Sequence, residues 1–210
     1  MELKPLIAGL VLALPLSLTP MAVAQNNPKH NANSAQKNQS SKANANSNSK
    51  ALSSNDKEFL QKLADEDTAE INLANLALKK SSDPMVQNYA HAILSADPPM
   101  KEQAQSIAQS ENAQIVTKAN AEGQAEYQKL SQLSGKEFDK EYIKYEAQQQ
   151  STDLDLVKGE INSTTDTTVK DYATAQETPV RKASDKANQL AAKMGLPTSP
   201  SAHNQPPTKH

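Results

Sequence analysis

The chain of 210 residues has no cysteine, no tryptophan and only two phenylalanines, and its formal charge is close to balance at -2. The missing cysteine excludes disulfides, thiolate metal ligation and a lipid-modified cysteine at a processed N-terminus. It also removes the thiol nucleophile, and no serine has a histidine and an acid placed to activate it. There is no glycine-rich phosphate loop and no basic surface interleaved with aromatics, so neither nucleotide nor nucleic-acid binding is expected. Two carboxylates could act on a glycan as acid and base, but such sites sit in aromatic-lined clefts, and five tyrosines with two phenylalanines do not furnish one.

Long hydrophobic runs are also scarce. The uncharged stretch from Pro5 to Pro20 follows Lys4 and leads into Ala22-Val23-Ala24, the pattern of a secretory signal peptide over 1–24 with cleavage after Ala24. It is interrupted by Pro15 and is short for a bilayer, so no transmembrane anchor is expected after cleavage. Residues 25–53 are nearly all Asn, Ser, Gln, Ala and Lys, a composition that cannot offset its ordering entropy, and a disordered linker is expected there. Lys29, Lys37, Lys42 and Lys50 make it mildly basic. An arm for anionic lipid, peptidoglycan or another polyanion is one reading; a solvated linker is the favoured one, because charges this sparse attract weakly. The proline-rich tail, 197–210, is read as disordered, with His203 and His210 incidental. The product is expected to be exported, periplasmic or outer-membrane associated.

The remaining residues, 54–196, are the size of one domain and favour helices. Asn55 with Glu58 reads as a capping box that starts a helix near Asp56. Phe59/Leu60, Leu63, Asp67, Glu70/Ile71, Ala74 and Ala77/Leu78 then recur every three or four residues, on one face. Asp83-Pro84 caps a second helix, with Val86, Tyr89/Ala90, Ile93, Asp97, Met100, Ala104 and Ile107/Ala108 in its stripe. The Asp97-Pro98-Pro99 sequence predicts a break there, with Asp97 capping a new segment. A polar connection from Glu111 to Leu133 contains a short helix over Ala121 to Leu133. Ser134 and Glu137 form a second capping-box pattern ahead of a third long helix with Phe138, Tyr142, Tyr145, Gln149, Thr152 and Leu156 on one face, stopping near Gly159. A fourth, after Asp166, carries Val169, Tyr172/Ala173, Gln176, Val180, Ala183, Ala187, Leu190/Ala191 and Met194, with a kink at Pro179 and a stop at Gly195.

The two halves repeat. Lys57-Glu58-Phe59 recurs as Lys136-Glu137-Phe138, and Asp83-x-x-Val86-x-x-Tyr89-Ala90 recurs as Asp166-x-x-Val169-x-x-Tyr172-Ala173. Two related hairpins joined by a long connection predict an all-α, ferritin-like four-helix bundle with a crossover between its second and third long helices.

Ala69-Glu70-Ile71 with Leu76-Ala77, Val86-x-x-Tyr89-Ala90, Phe138-Asp139-x-x-Tyr142 and Tyr172-Ala173 with Pro179 together resemble the exported bacterial domain-of-unknown-function family DUF4142, over Asn55 to Met194. The resemblance implies a ferritin-like bundle of exported or outer-membrane proteins with no established activity. It also implies histidines late in the second helix, in the middle of the third and after the proline of the fourth. Here those places read Ser95-Ala96-Asp97, Gln149-Gln150 and Ala183-Ser184, and the domain's single histidine, His91, falls beside the apolar stripe.

A dinuclear centre in such a bundle needs Glu-x-x-His pairs, and this chain has none. Glu70 and Asp97, with Asp67, Glu146 or Glu177, remain as candidate oxygen ligands. With manganese, iron or calcium as the candidate cofactors, such oxygen-only donors suit calcium, magnesium or manganese better than a redox iron pair. The favoured expectation is no cofactor, with Glu70 hydrogen-bonded to Tyr142, Gln149 or a lysine of a neighbouring helix, because an unpaired buried carboxylate is too costly to stay charged. The function expected is that of a non-enzymatic bundle binding a cell-envelope component or protein partner; the alternative is a metal-binding protein or metal-dependent enzyme with a reduced ligand set.

Overall fold

In the computed structural model, residues 51–199 are described, and they form five helices: α1 Ser54–Lys80, α2 Pro84–Ser110, α3 Ala121–Ser131, α4 Gly135–Ser163 and α5 Thr167–Lys193. The proposed signal peptide, most of the linker and the end of the tail lie outside the described residues. α1 packs along α2 and α4 along α5, and the two hairpins meet through α1 with α4 and α2 with α5.

Three contacts fix the direction of α4 against α1. The Thr164 hydroxyl donates to Asp56 at 2.6 Å, the Gln150 amide to Glu70 at 2.7 Å, and the Lys80 ammonium to the Leu133 carbonyl at 2.8 Å, so low numbers in α1 face high numbers in α4. α1 therefore runs up, α2 and α4 down and α5 up, the ferritin-like order, which requires a long crossover from the foot of α2 to the head of α4. That crossover climbs the outside of α1. Val116 exchanges two hydrogen bonds with the Gln61 amide, the Lys118 N–H donates to Asp65, Gly123 of α3 lies on Ala69, and Lys80 holds the carbonyls of Ser131 and Leu133.

Helix ends differ from expectation in two places. α1 is capped by Ser53 in a reciprocal box with Asp56, two residues earlier than Asn55 and Glu58; Asp56 also receives the Thr164 hydroxyl, so this box ties α1 to the end of α4. Ser134 sits at the N-cap of α4 but makes no side-chain capping bond. The Asp83 and Asp166 caps are as read, and α5 ends in a Schellman turn, with Gly195 at φ 69° and the Leu196 N–H on the Ala191 carbonyl at 2.9 Å.

Two expected stops are overridden. α2 runs without a break through Pro98 and Pro99, and α4 passes Gly159 to Ser163. Each proline removes one N–H and crowds the preceding turn. The flanking residues Ile93, Asp97, Met100 and Ala104 are nevertheless all buried on one face, so packing of that face keeps the helix in phase across the prolines.

The buried apolar residues fall into two clusters, one toward each end of the bundle. The first gathers Leu73, Tyr89, Ile93, Phe138, Tyr142 and Leu190; the second gathers Phe59, Leu63, Ile107, Leu154, Val169 and Tyr172. The repeated aromatics do equivalent work in each. Phe59 meets Tyr172 edge to face at 6.1 Å, while in the other half Tyr142 bridges Phe138 and Tyr89 at 6.0 and 6.1 Å, arrangements worth about 1 kcal/mol each beyond burial.

Candidate functional site

Between the two apolar clusters lies a layer of acids. Asp67 and Glu70 come from α1, Asp97 from α2, Glu146 and Asp153 from α4, and all five are buried. The helical period puts them there. Asp67 and Glu70 occupy the inward stripe of α1, and Asp97 follows Ile93 by one turn. On α4 the inward face runs from Glu146 through Gln149 and Gln150 to Asp153 and Leu154, whereas Thr152 is exposed. Counting three residues on from Gln149 leads to Thr152; the true stripe steps by four, and this is why Asp153 escaped the sequence reading. Glu177, by contrast, is outside the layer and pairs with Arg181 at 2.6 Å. His91 is exposed, away from the acids.

Few donors reach these carboxyls. Gln150 donates to Glu70 at 2.7 Å, the Tyr89 hydroxyl to Glu146 at 3.2 Å and Gln149 to Asp153 at 3.2 Å. Glu70 thus has an amide partner on α4, at the residue after the expected Gln149. Glu70 Oε1, Asp67 Oδ2, Asp97 Oδ2 and Glu146 Oε1 accept from no N–H or O–H of the protein. The nearest cation is Lys101, one turn beyond Asp97, and it only partly opposes the loss of water around Asp97 and Asp67.

Burial therefore dominates the titration. It raises Asp97 to about 7 and Asp153 to about 8, and it pushes Glu70, Asp67 and Glu146 well above the carboxylate range, with the neighbouring acids adding to the rise. Asp97 and Asp153 both lie beside Glu70 in this layer. Burial and the neighbouring acids both favour the neutral form of Glu70, which could then donate to an adjacent carboxylate. Shared protons satisfy oxygens that would otherwise be orphaned.

The donors do not fit the dinuclear centre that a ferritin-like bundle implies. The layer has oxygen and amide groups but no imidazole, and among the described residues no three carboxylates or histidines converge at ligating spacing. The cavity beside Asp67, Glu70, Asp97 and Asp153 has a volume of about 20 Å³, room for about one water. Pro179 and Val180 of α5 close its far side.

A much larger recess lies outside the bundle, between α1 and the crossover helix. It has a volume of about 540 Å³ and is lined by Asn72, Asn75, Lys79, Gln124, Tyr127 and Gln128 around a floor of Leu76 and Gly123.

Comparison with known proteins identifies the fold and the family. A DUF305 protein from Streptomyces coelicolor, named as a secreted protein, superposes with a TM-score of 0.60 at 15% identity, covering 69% of this chain and 96% of its own. A DUF305 fragment from Deinococcus radiodurans superposes with a TM-score of 0.60 at 13% identity, covering 69% and 98%. At such identities the likeness is one of fold. No curated protein matches the chain. The family described as "Domain of unknown function (DUF4142)" matches residues 41–190, most of the sequence and all four long helices, and the chain belongs to that family.

Proposed function

We propose that this protein is an exported, non-enzymatic helical bundle that binds a component of the cell envelope. The observation that carries the reading is the contrast between these recesses: the carboxyl layer opens on space for about one water, while the 540 Å³ recess is on the outer surface. The interior cavity is too small for an organic substrate, and no carboxylate lines the outer recess. Export is supported by the signal-peptide pattern ending at Ala24 and by the name of the Streptomyces relative in fold. The periplasm or the inner face of an outer membrane is the proposed compartment. Residues 25–53 are proposed as the basic tether of the 54–196 domain.

Deleting 25–53 from the secreted protein tests the tether. Retention on washed envelope fractions is expected to fall several-fold while helicity and melting stay unchanged; undiminished retention would remove the tethering role.

The unpartnered oxygens of Glu70, Asp67, Asp97 and Glu146 favour a second reading, in which the layer closes around a hard divalent cation such as calcium or manganese. It requires the side chains to move into ligating spacing, and the melting experiment set out in the Discussion separates it from proton sharing.

A further inference from the structure

We infer that the recess between α1 and α3 binds an N-acetylated glycan. The inference rests on the binding function proposed above and assigns that function a site and a ligand chemistry. The walls are α1, whose backbone along the recess is committed to its own ladder, and the start of α3 with Ala119 ahead of it, so on the α1 side a ligand meets side chains. Four of these are amides, Asn72, Asn75, Gln124 and Gln128, each offering both a donor and an acceptor. Asn75 donates one amide hydrogen to the Ile71 carbonyl one turn back in α1 and Gln124 one to the Ala119 carbonyl ahead of α3, while the Asn72 and Gln128 side chains make no hydrogen bond among the described residues. Hydroxyl and acetamido groups, which also donate and accept, match such a lining.

Tyr127 stands at the rim, 39% exposed, and is the exposed aromatic among the described residues. Its ring can cover the apolar face of a sugar while its hydroxyl stays wet. Lys79 adds three donors and makes no ion pair among the described residues. The floor is rigid: Gly123 lies against Ala69, Asn120 caps α3 by accepting from the Gly123 N–H at 2.6 Å, and Lys80 pins the far end of α3.

A peptide fits less well. An extended peptide adding as a strand needs a free sheet edge, which helices do not offer, and a helical one needs an apolar groove, where this recess has Leu76, Ala119 and Tyr127 among its amides. Hydrolysis is not part of the inference, because no acid lines the recess.

Calorimetry with the secreted chain and the N-acetylglucosamine tetramer is the test, with cellotetraose and an Ala/Gln heptapeptide as controls. The tetramer is expected to bind and cellotetraose to bind more weakly. Tyr127→Ala should weaken the tetramer about tenfold with unchanged helicity, the loss expected for one stacking contact in a polar groove. Asn72→Ala with Gln128→Ala is expected to do the same. No tetramer binding, binding indifferent to Tyr127→Ala, or preference for the peptide would overturn the inference. Envelope retention that persists without tetramer binding would leave the broader binding function standing and sink this site alone; loss of both would sink both.

Discussion

Raising the pH from about 5 to about 9 lowers the melting temperature by on the order of 10 °C, because the folded chain holds protons that the unfolded chain gives up. The sign follows from the carboxyl layer. Asp97 and Asp153 titrate near 7 and 8 in the fold, against about 3.9 for an unfolded aspartate. Below the unfolded value both states are protonated and the stabilisation is complete. As pH rises toward the folded values, the unfolded state binds fewer protons and stability falls by ~1.4 kcal/mol per pH unit for each proton held. Glu70, Asp67 and Glu146 shift in the same direction and steepen the loss. Lys101 of α2 works against it, and α5 brings Pro179, Val180 and Ala183 to the cavity.

Glu70→Gln keeps the shape and supplies a permanent donor to Asp97 and Asp153. Its melting temperature is expected to exceed the parent's above pH 7 and to depend less on pH. Calorimetric melts of both proteins across that range, with and without millimolar calcium or manganese, check the point. A flat parent profile would contradict proton sharing. A divalent ion that restores the parent at pH 9 but does nothing for Glu70→Gln would establish the cation reading in its place.

Gly123→Leu is expected to cost about 1–3 kcal/mol, the usual range for overpacking, and to loosen the crossover. A Cβ at this position would overlap the Ala69 Cβ and also crowd Asn120 Oδ1 at 3.1 Å, where both neighbours belong to rigid helix ends or walls. α3 would have to lift from α1, disturbing buried Leu130 and the Lys80 contacts at its end. A melting temperature lower by about 2–9 °C and faster proteolysis within 111–134 are the expected results. Gly159 is the control: it is exposed inside α4 with open space where a Cβ would go, so Gly159→Ala should raise stability by about 1 kcal/mol. Equal responses at the two glycines would mean that the close α1–α3 approach does not hold the crossover.

Much of the fold is legible in local signals. Asp83-Pro84, Asp166 and Gly195 mark helix ends through short-range hydrogen bonding and backbone preference, which depend on only a few neighbouring residues. The stripes of α1, α2 and α5 and the repeated Phe59/Phe138 and Tyr89/Tyr172 signal two hairpins and hence two apolar clusters. Glu70 and Asp97 stand out because an acid inside an apolar stripe violates the pattern. The failures have a common physical origin. Pro98-Pro99 and Gly159 are unfavourable locally, and only the packing of distant helices outweighs them. Asp153 was hidden by a one-residue drift of the α4 stripe, which no residue of α4 resolves without its partners.

By itself, then, the sequence determined four long amphipathic helices, their pairing into hairpins, the export pattern at Ala24, the absence of thiol and imidazole ligands from the interior, and two acids of α1 with one of α2 facing inward. These follow from composition, period and capping, all of which act over a few residues. The tertiary structure alone decided that α2 stays whole, that Asp67, Glu70, Asp97, Glu146 and Asp153 form one buried carboxyl layer, and that α3 docks on α1 to leave an amide-lined recess. Each of these depends on side chains far apart in the chain being excluded together from water, an energy that no local stretch carries.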